Sequence, residues 1–332
     1  MKCINKWLAV ALVGILVCLT LVGCNNEEEV KLKSAYDVYE TSTKYGLTNT
    51  EVTSGITPFA EDICVVGYDD TVTDDSVHDY VAQAAGVFLV DSKEATYTQK
   101  IHQKMYPAST TKIMTAYVAL KYGDLDQYIT VSSSALKDLA PDSSLAGIQV
   151  GDTLSMEQLL YGLMLASGND AAAVIAETIS GSEEEFAKLM TQEAIALGAT
   201  DTNFKNAHGL PDKEHYTSVY DLYLIFNAAI QNEKFVDIIS DKSYTAVYTN
   251  KAGETISKTW NNTNRYLTGE YSEPNGVSVV GGKTGTTFDA GFCLVLLNEN
   301  ESGEPVISIV LKADCRSNLY LLMGEILGKY SN

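Results

Sequence analysis

The sequence predicts an α+β fold, an antiparallel sheet flanked by terminal helices plus a mostly helical lobe, with the active site in the cleft between them. Three observations carry this expectation. Past residue 80, strand-like runs fall at both ends and helical runs fill the middle. Hydrophobic residues make up 45% of the 332, enough for a sizeable core. Three short polar motifs, Ser109-Thr110-Thr111-Lys112, Ser167-Gly168-Asn169 and Lys283-Thr284-Gly285, sit on elements of both halves, as three walls of one cleft would.

The elements follow in order. Gly86 to Asp91 reads as a buried strand and Ala95 to Gln99 as its hairpin partner. Pro107 precedes a helix over 109–122, with Ile113, Ala116, Tyr117 and Leu120 on one face. A second helix covers 156–165, with Leu159, Leu160, Leu163 and Met164 inward. The small residues of 169–179 suit a helix deep in the core. Ser182-Glu183-Glu184-Glu185 reads as a capping box opening a helix that Gly198 closes. Residues 217–231 are helical in pattern. Strands return over 277–283, 291–297 and 306–311, and a helix over 318–329 ends the chain. There is no internal repeat.

Net charge is −20, which argues against a nucleic-acid partner, because phosphate binding needs clustered Lys and Arg. It also argues against an electrostatic grip on anionic lipid. The N-terminus reads as an export signal over 1–23: Lys2 and Lys6, then an apolar run from Trp7 to Gly23. Leu21-Val22-Gly23-Cys24 resembles the bacterial lipobox, which implies a lipidated Cys24 anchored on the outer face of the cytoplasmic membrane. The alternative is an uncleaved anchor helix. Residues 24–80 are polar and acidic and read as a tether, partly docked through the apolar patch 59–67; the catalytic domain is expected over 81–332. Cys64, Cys293 and Cys315 are left after Cys3, Cys18 and Cys24. An odd number is a poor disulfide framework, and buried free thiols are the expectation for Cys293 and Cys315, with a bridge between the two as the alternative.

The three motifs carry the chemistry. Ser109 and Lys112 stand three apart, so on a helix they share a face, with Cβ atoms roughly 5–6 Å apart. A serine hydroxyl needs a base, and a lysine is one only when neutral. Burial and a neighbouring cation both lower a lysine pKa, and Lys283 is the candidate cation. Ser167 can relay a proton to a leaving amine, and Asn169 can hold a substrate amide; Asn169 can equally be an N-cap. Lys283 and Thr284 suit a carboxylate, Gly285 lets a ligand backbone come close, and the N–H groups of Ser109 and Thr286 can form an oxyanion hole. The four histidines, His78, His102, His208 and His215, form no triad context, and no Cys-x-x-Cys or His-x-x-x-His pair exists. No cofactor or metal is expected. A Ser-His-Asp hydrolase is disfavoured because Ser109 lacks a Gly-x-Ser-x-Gly elbow.

Pro107-Ala108-Ser109-Thr110-Thr111-Lys112, Ser167-Gly168-Asn169-Asp170 and Lys283-Thr284-Gly285 resemble the motifs of the low-molecular-mass penicillin-binding proteins, the serine D-alanyl-D-alanine carboxypeptidases. Asn206-Ala207-His208-Gly209-Leu210-Pro211-Asp212 and Asn262-Thr263-Asn264 are also similar to family segments. The resemblance covers roughly 84–332. It implies a penicillin-binding/β-lactamase-like fold, with Ser109 as nucleophile, Lys112 as its base, and Ser167 and Asn169 as the second wall. It implies that Lys283 and Thr284 bind the terminal carboxylate of a peptidoglycan stem peptide ending in D-Ala-D-Ala, and that β-lactams trap the serine. Tyr220 stands where many relatives carry an arginine, the chain ends soon after the catalytic domain, and Thr286 replaces a histidine of some members. The runner-up enzyme is a serine β-lactamase. However, the stretch Asp201 to Asn206, where class A members carry their deacylating glutamate, has none, and the middle motif is Ser-Gly-Asn rather than Ser-Asp-Asn. A non-catalytic cell-wall or β-lactam-binding lipoprotein is the alternative of a different class. The balance of carboxypeptidase, endopeptidase and transpeptidase action and the third stem residue are not legible.

Overall fold

The computed structural model describes residues 62–67, 77–140 and 143–332. The expected export signal, Cys24 and most of the expected tether lie outside the described residues. Largely continuous apolar strands at its centre build a five-stranded antiparallel sheet, order β2-β1-β9-β8-β7. Its strands are β1 (Ala84–Leu89), β2 (Glu94–Gln99), β7 (Ser278–Thr287), β8 (Gly291–Glu299) and β9 (Pro305–Ala313). One face carries Val87, Leu294, Leu296, Val306 and Val310, and packs against Leu322, Met323 and Ile326 of the C-terminal helix α7 (Arg316–Tyr330). The other carries Phe88, Val295, Ile307 and Ile309, which join the core of the helical lobe. Both faces are covered, so all six residues of β1 are buried and the strand reads as one apolar run.

The lobe surrounds α1 (Thr111–Tyr122), packed by α2 (Met156–Met164), α3 (Asn169–Ser180), α4 (Glu183–Ala196) and α5 (Val219–Ala229). The expected single inward face of α1 is a correction: Thr111 to Ala116, Val118 and Ala119 are all buried, because neighbours surround the helix, while Tyr117 and Leu120 are only partly covered. Ser182 caps α4 by accepting from the Glu185 N–H at 3.2 Å, and Gly198 follows the helix at φ +89°. Residues 62–67 lie on α5. Cys64 is fully buried, its N–H donates to Tyr223 Oη at 2.8 Å, and Tyr220 Oη donates to its carbonyl at 2.7 Å.

A second, four-stranded antiparallel sheet, order β3-β4-β5-β6, was not legible in the sequence. Its strands are β3 (Tyr128–Thr130), β4 (Thr153–Ser155), β5 (Ser243–Thr249) and β6 (Thr255–Asn261), and α6 (Glu233–Ser240) precedes β5. Two of the strands are only three residues long, and the others alternate Thr, Ser and Tyr with little aliphatic signal. Stacking of Tyr161 on Tyr244, ring centroids 3.7 Å apart, ties this sheet to α2.

Candidate active site

Proline and strain set the first wall. Pro107 is the N-cap of a 3-10 turn, Ala108–Thr110, that feeds α1. Ala108 holds φ +50°, a left-handed conformation that costs a non-glycine residue energy. The turn leaves Ser109 partly exposed and places Lys112 one turn inward, fully buried, with Nζ 3.0 Å from Ser109 Oγ. Lys112 Nζ also donates to Asn169 Oδ1 and to the His208 carbonyl, each at 2.7 Å. Those two acceptors use the two N–H bonds of a neutral amine. The third neighbour is a hydroxyl, which can itself donate, so the geometry suits a lone pair facing Ser109 O–H. Burial first, and the Lys283 charge second, hold the Lys112 pKa well below its usual range.

The His208 carbonyl is delivered by the 206–210 segment. Asn206 Oδ1 accepts from the N–H groups of His208 at 3.3 Å and Gly209 at 2.7 Å. Gly209 sits at φ +92°, and a Cβ there would lie 1.8 Å from the Ala108 carbonyl oxygen, so only glycine lets the segment press onto the serine turn. His208 Nδ1 accepts from the Leu210 N–H at 3.2 Å, which leaves Nε2–H to face Glu183 Oε1 at 3.2 Å. Burial pushes the His208 pKa down to about 3, so its ring is neutral.

Asn169 is not an N-cap. Gly168 holds that place without a side-chain bond, and Asn169 points its amide oxygen at Lys112 instead. The next residue clamps the motif. Buried Asp170 accepts from the N–H groups of Ala146 at 2.8 Å, Gly147 at 2.7 Å, Ile148 at 2.9 Å and Ala171 at 2.9 Å. Asn169 N–H donates to the Ser144 carbonyl at 2.8 Å, which fixes residues 144–148 beside the cleft. Asp170→Ala leaves these donors unpaired in the interior, and a loss of about 3 kcal/mol or more is expected at roughly 1–3 kcal/mol per group. Urea unfolding measures it; an unchanged midpoint and slope would refute the clamp.

The third wall is the sheet edge. Lys283, 1% exposed, donates from Nζ to Ser167 Oγ and to the Thr284 carbonyl, each at 3.0 Å. Ser167 is held at φ +58°, the second strained non-glycine residue among the motifs. Burial pushes the Lys283 pKa down to about 7. Unfolded lysine titrates near about 10.4, so above pH ~7 the unfolded chain holds a proton the folded one lacks. Stability therefore rises with pH across that window, and Lys283 burial is a cost at neutral pH. Gly285 has an ordinary φ, and its need is space: a Cβ would stand 3.0 Å from the Ser109 nitrogen and 3.1 Å from the Thr110 nitrogen. Thr284 Oγ1 meets Thr263 Oγ1 at 2.7 Å.

These walls enclose a cleft of about 330 Å³ lined by Ser109, Ser167, Thr284, Gly285 and Thr286. The structure thus brings together every motif residue singled out in the sequence, with Lys112, Asn169 and Lys283 buried behind the surface. Sequence reasoning missed Arg265 and Arg316, which also line it. A signal existed: they are the only two arginines of the chain. Arg316 lies over the Phe292 ring, 5.7 Å from its centroid, and makes no ion pair among the described residues. Tyr220 lies elsewhere, hydrogen-bonded to the Cys64 carbonyl and away from the cleft lining. Cys293 touches the cleft as a free thiol that burial pushes up to about 11, so it is unreactive at neutral pH. Among the described residues no group of three or more His, Cys, Asp or Glu converges as a metal site.

An antiparallel sheet against a helical lobe, with serine and buried lysine one turn apart in the cleft between them, defines the class of active-site-serine, penicillin-recognising proteins. Residues 71–315 match the family Peptidase_S11, described as D-alanyl-D-alanine carboxypeptidase, and the chain belongs to that family. It is 35% identical over 219 residues to D-alanyl-D-alanine carboxypeptidase DacF of Bacillus subtilis, covering 64% of this chain and 53% of that protein. It is 35% identical over 241 residues to a D-alanyl-D-alanine carboxypeptidase of Streptomyces sp. (strain K15), covering 69% of this chain and 80% of that one. The crystal structure of the Streptomyces K15 DD-transpeptidase superposes with a TM-score of 0.68 at 31% identity, covering 76% of this chain and 98% of that one. The chain thus spans about half the length of the Bacillus relative and most of the Streptomyces one.

Proposed function

We propose that the protein is a serine D-Ala-D-Ala carboxypeptidase that removes the terminal D-alanine from peptidoglycan stem peptides and is acylated by β-lactams. The observation that carries this reading is the 3.0 Å approach of buried Lys112 Nζ to Ser109 Oγ. Lys112 takes the Ser109 proton as Oγ attacks the carbonyl carbon of the penultimate D-alanine. The N–H groups of Ser109 and Thr286 hold the oxyanion, and one such donor is worth about 10²–10³ in rate. Thr284, Lys283 and the guanidinium of Arg316, which makes no ion pair among the described residues, hold the terminal carboxylate. When the C–N bond breaks, the proton held on Lys112 is relayed through Ser167 to the leaving amine, which leaves Lys112 neutral again. Water then attacks the Ser109 ester, releasing the shortened peptide and returning the proton to Oγ.

Incubation with a pentapeptide stem tests the reading, with free D-alanine followed by mass spectrometry. The expected product is one D-alanine per tetrapeptide. Intact pentapeptide after prolonged incubation, from protein that still labels with penicillin, would reduce the reading to a β-lactam-binding protein without this activity.

The proposal extends to place. The lipobox-like Leu21-Val22-Gly23-Cys24 supports lipidation of Cys24 and anchoring on the outer face of the cytoplasmic membrane. A diacylated cysteine carries two chains, enough for stable attachment. Cys24→Ala is expected to move the protein from the membrane to the soluble fraction; unchanged retention would sink the lipid anchor.

A further inference from the structure

Twenty-three cationic side chains are spread over the sequence, yet its only two arginines both line the one cleft. A terminal carboxylate needs one guanidinium, and Arg316, which makes no ion pair among the described residues, can supply it. Arg265 is different: it is paired with Glu270, which lines the same cleft. The pair is about a quarter exposed on the arginine side and half exposed on the glutamate side, where ion pairs add little to stability. Its backbone is nevertheless firmly built. Arg265 N–H donates to Tyr320 Oη of α7 at 2.9 Å, and the Arg265 carbonyl accepts from the N–H groups of Glu270 at 3.0 Å and Tyr271 at 3.2 Å. Gly269 closes the loop at φ +78°. Two residues before Arg265, Thr263 touches Thr284 of the motif strand. A fixed cation and a fixed anion thus stand side by side near the carboxylate site, without a stability role that requires them.

We propose that the Arg265–Glu270 pair is a subsite for the zwitterionic head of an α-amino acid, with Arg265 taking its carboxylate and Glu270 its ammonium. The proposal rests on the peptidase reading and deepens it by naming a substrate class. On binding, each charge exchanges one opposite partner for another, so none is left unpaired. A lysine side chain brings an ammonium alone and strands Arg265; an amidated head does the same. Such a head can come from the side chain of the third stem residue or from a free D-amino acid acting as acceptor. In the acceptor case Glu270 takes one proton from the ammonium, so that pair becomes neutral, and the amine attacks the carbonyl carbon of the Ser109 ester while Lys112 takes its second proton. An amide forms, the ester C–O bond breaks, and Ser109 Oγ recovers a proton from Lys112.

Three pentapeptides test the side-chain source, with meso-diaminopimelate, its side-chain amide or L-lysine at the third position. Wild type is expected to prefer the free zwitterion by about tenfold or more in kcat/KM, the scale of a hydrogen bond to a charged group. R265Q and E270Q should each bring that ratio close to one. The ratio is measured within each variant, so a partial loss of folded protein cancels. For the acceptor source, a donor with L-alanine at the third position is mixed with free D-methionine, and the exchanged peptide is quantified by mass spectrometry. There the two variants should lower exchange relative to hydrolysis by a similar factor. The proposal is overturned if neither arm shows a preference in wild type, or if the variants depress all three pentapeptides equally, which would place Arg265 on the terminal carboxylate. Penicillin labelling of wild type separates the failures: with labelling the peptidase reading stands and only the subsite falls, whereas loss of both labelling and D-alanine release fells both.

Discussion

Ser109→Ala is expected to abolish covalent labelling by a fluorescent penicillin while the protein stays folded. The side chain is partly exposed and lies at the cleft surface, so removing one oxygen creates no buried cavity and leaves the 3-10 turn intact. The backbone bond closing that turn, from the Thr110 N–H to the Pro107 carbonyl at 3.3 Å, does not involve the hydroxyl. Lys112 Nζ reaches Ser109 Oγ, whereas Ser167 is tied to Lys283 and burial raises the Cys293 thiol pKa to about 11. The expected loss is therefore complete, with circular dichroism unchanged. Labelling that persists in the folded variant would refute Ser109 as nucleophile.

Lys112→Met is expected to slow acylation by about 10²–10⁴, the range of a positioned general base. Methionine roughly fills the volume but leaves Asn169 Oδ1 and the His208 carbonyl without their donor, so some stability is lost as well. The pH dependence separates the two effects. Wild-type acylation requires neutral Lys112, so the rate falls by a decade per unit as pH drops below its lowered pKa. On the alkaline side, Lys283 loses its charge near pH 7, and a substrate carboxylate held there moves that loss upward. The profile for a carboxylate-bearing substrate is thus bell-shaped. The groups acting on Lys112 are Lys283, which lowers its pKa, and Asp170 and Glu183, which raise it. Acylation that stays flat from pH 5 to 10, or a Lys112→Met enzyme that acylates at the wild-type rate, would contradict the base assignment.

Much of this site was legible because its determinants are local. Ser109 and Lys112 need only helical spacing to meet, and the glycines at 168 and 285 mark turns and close approaches whatever the surrounding fold. The large sheet was readable because buried strands such as β1 and β9 are continuous apolar runs. What the sequence hid depends on contacts between distant segments. The His208 carbonyl that completes the Lys112 environment is a backbone group, which no residue pattern announces. Asp170 looks like an ordinary acid in the first turn of a helix, and its four-donor clamp appears only when residues 146–148 fold over it. Arg265 and Arg316 are 51 positions apart and converge only because the loop after β6 and the start of α7 meet at the same end of the cleft. The second sheet escaped because its short strands owe their pairing to neighbours rather than to their own composition.

The central claim is that Lys112 is an uncharged amine in the folded protein. Its protonation state is measurable directly by heteronuclear NMR of the lysine side-chain ε-carbon and ζ-nitrogen, with Lys112→Met used to assign the signal. The expected result is a Lys112 resonance with the shifts of a free amine at pH 7, protonating only as the pH is lowered. A signal that keeps the shifts of an ammonium until the pH passes about 10, the range of an ordinary lysine, would contradict it.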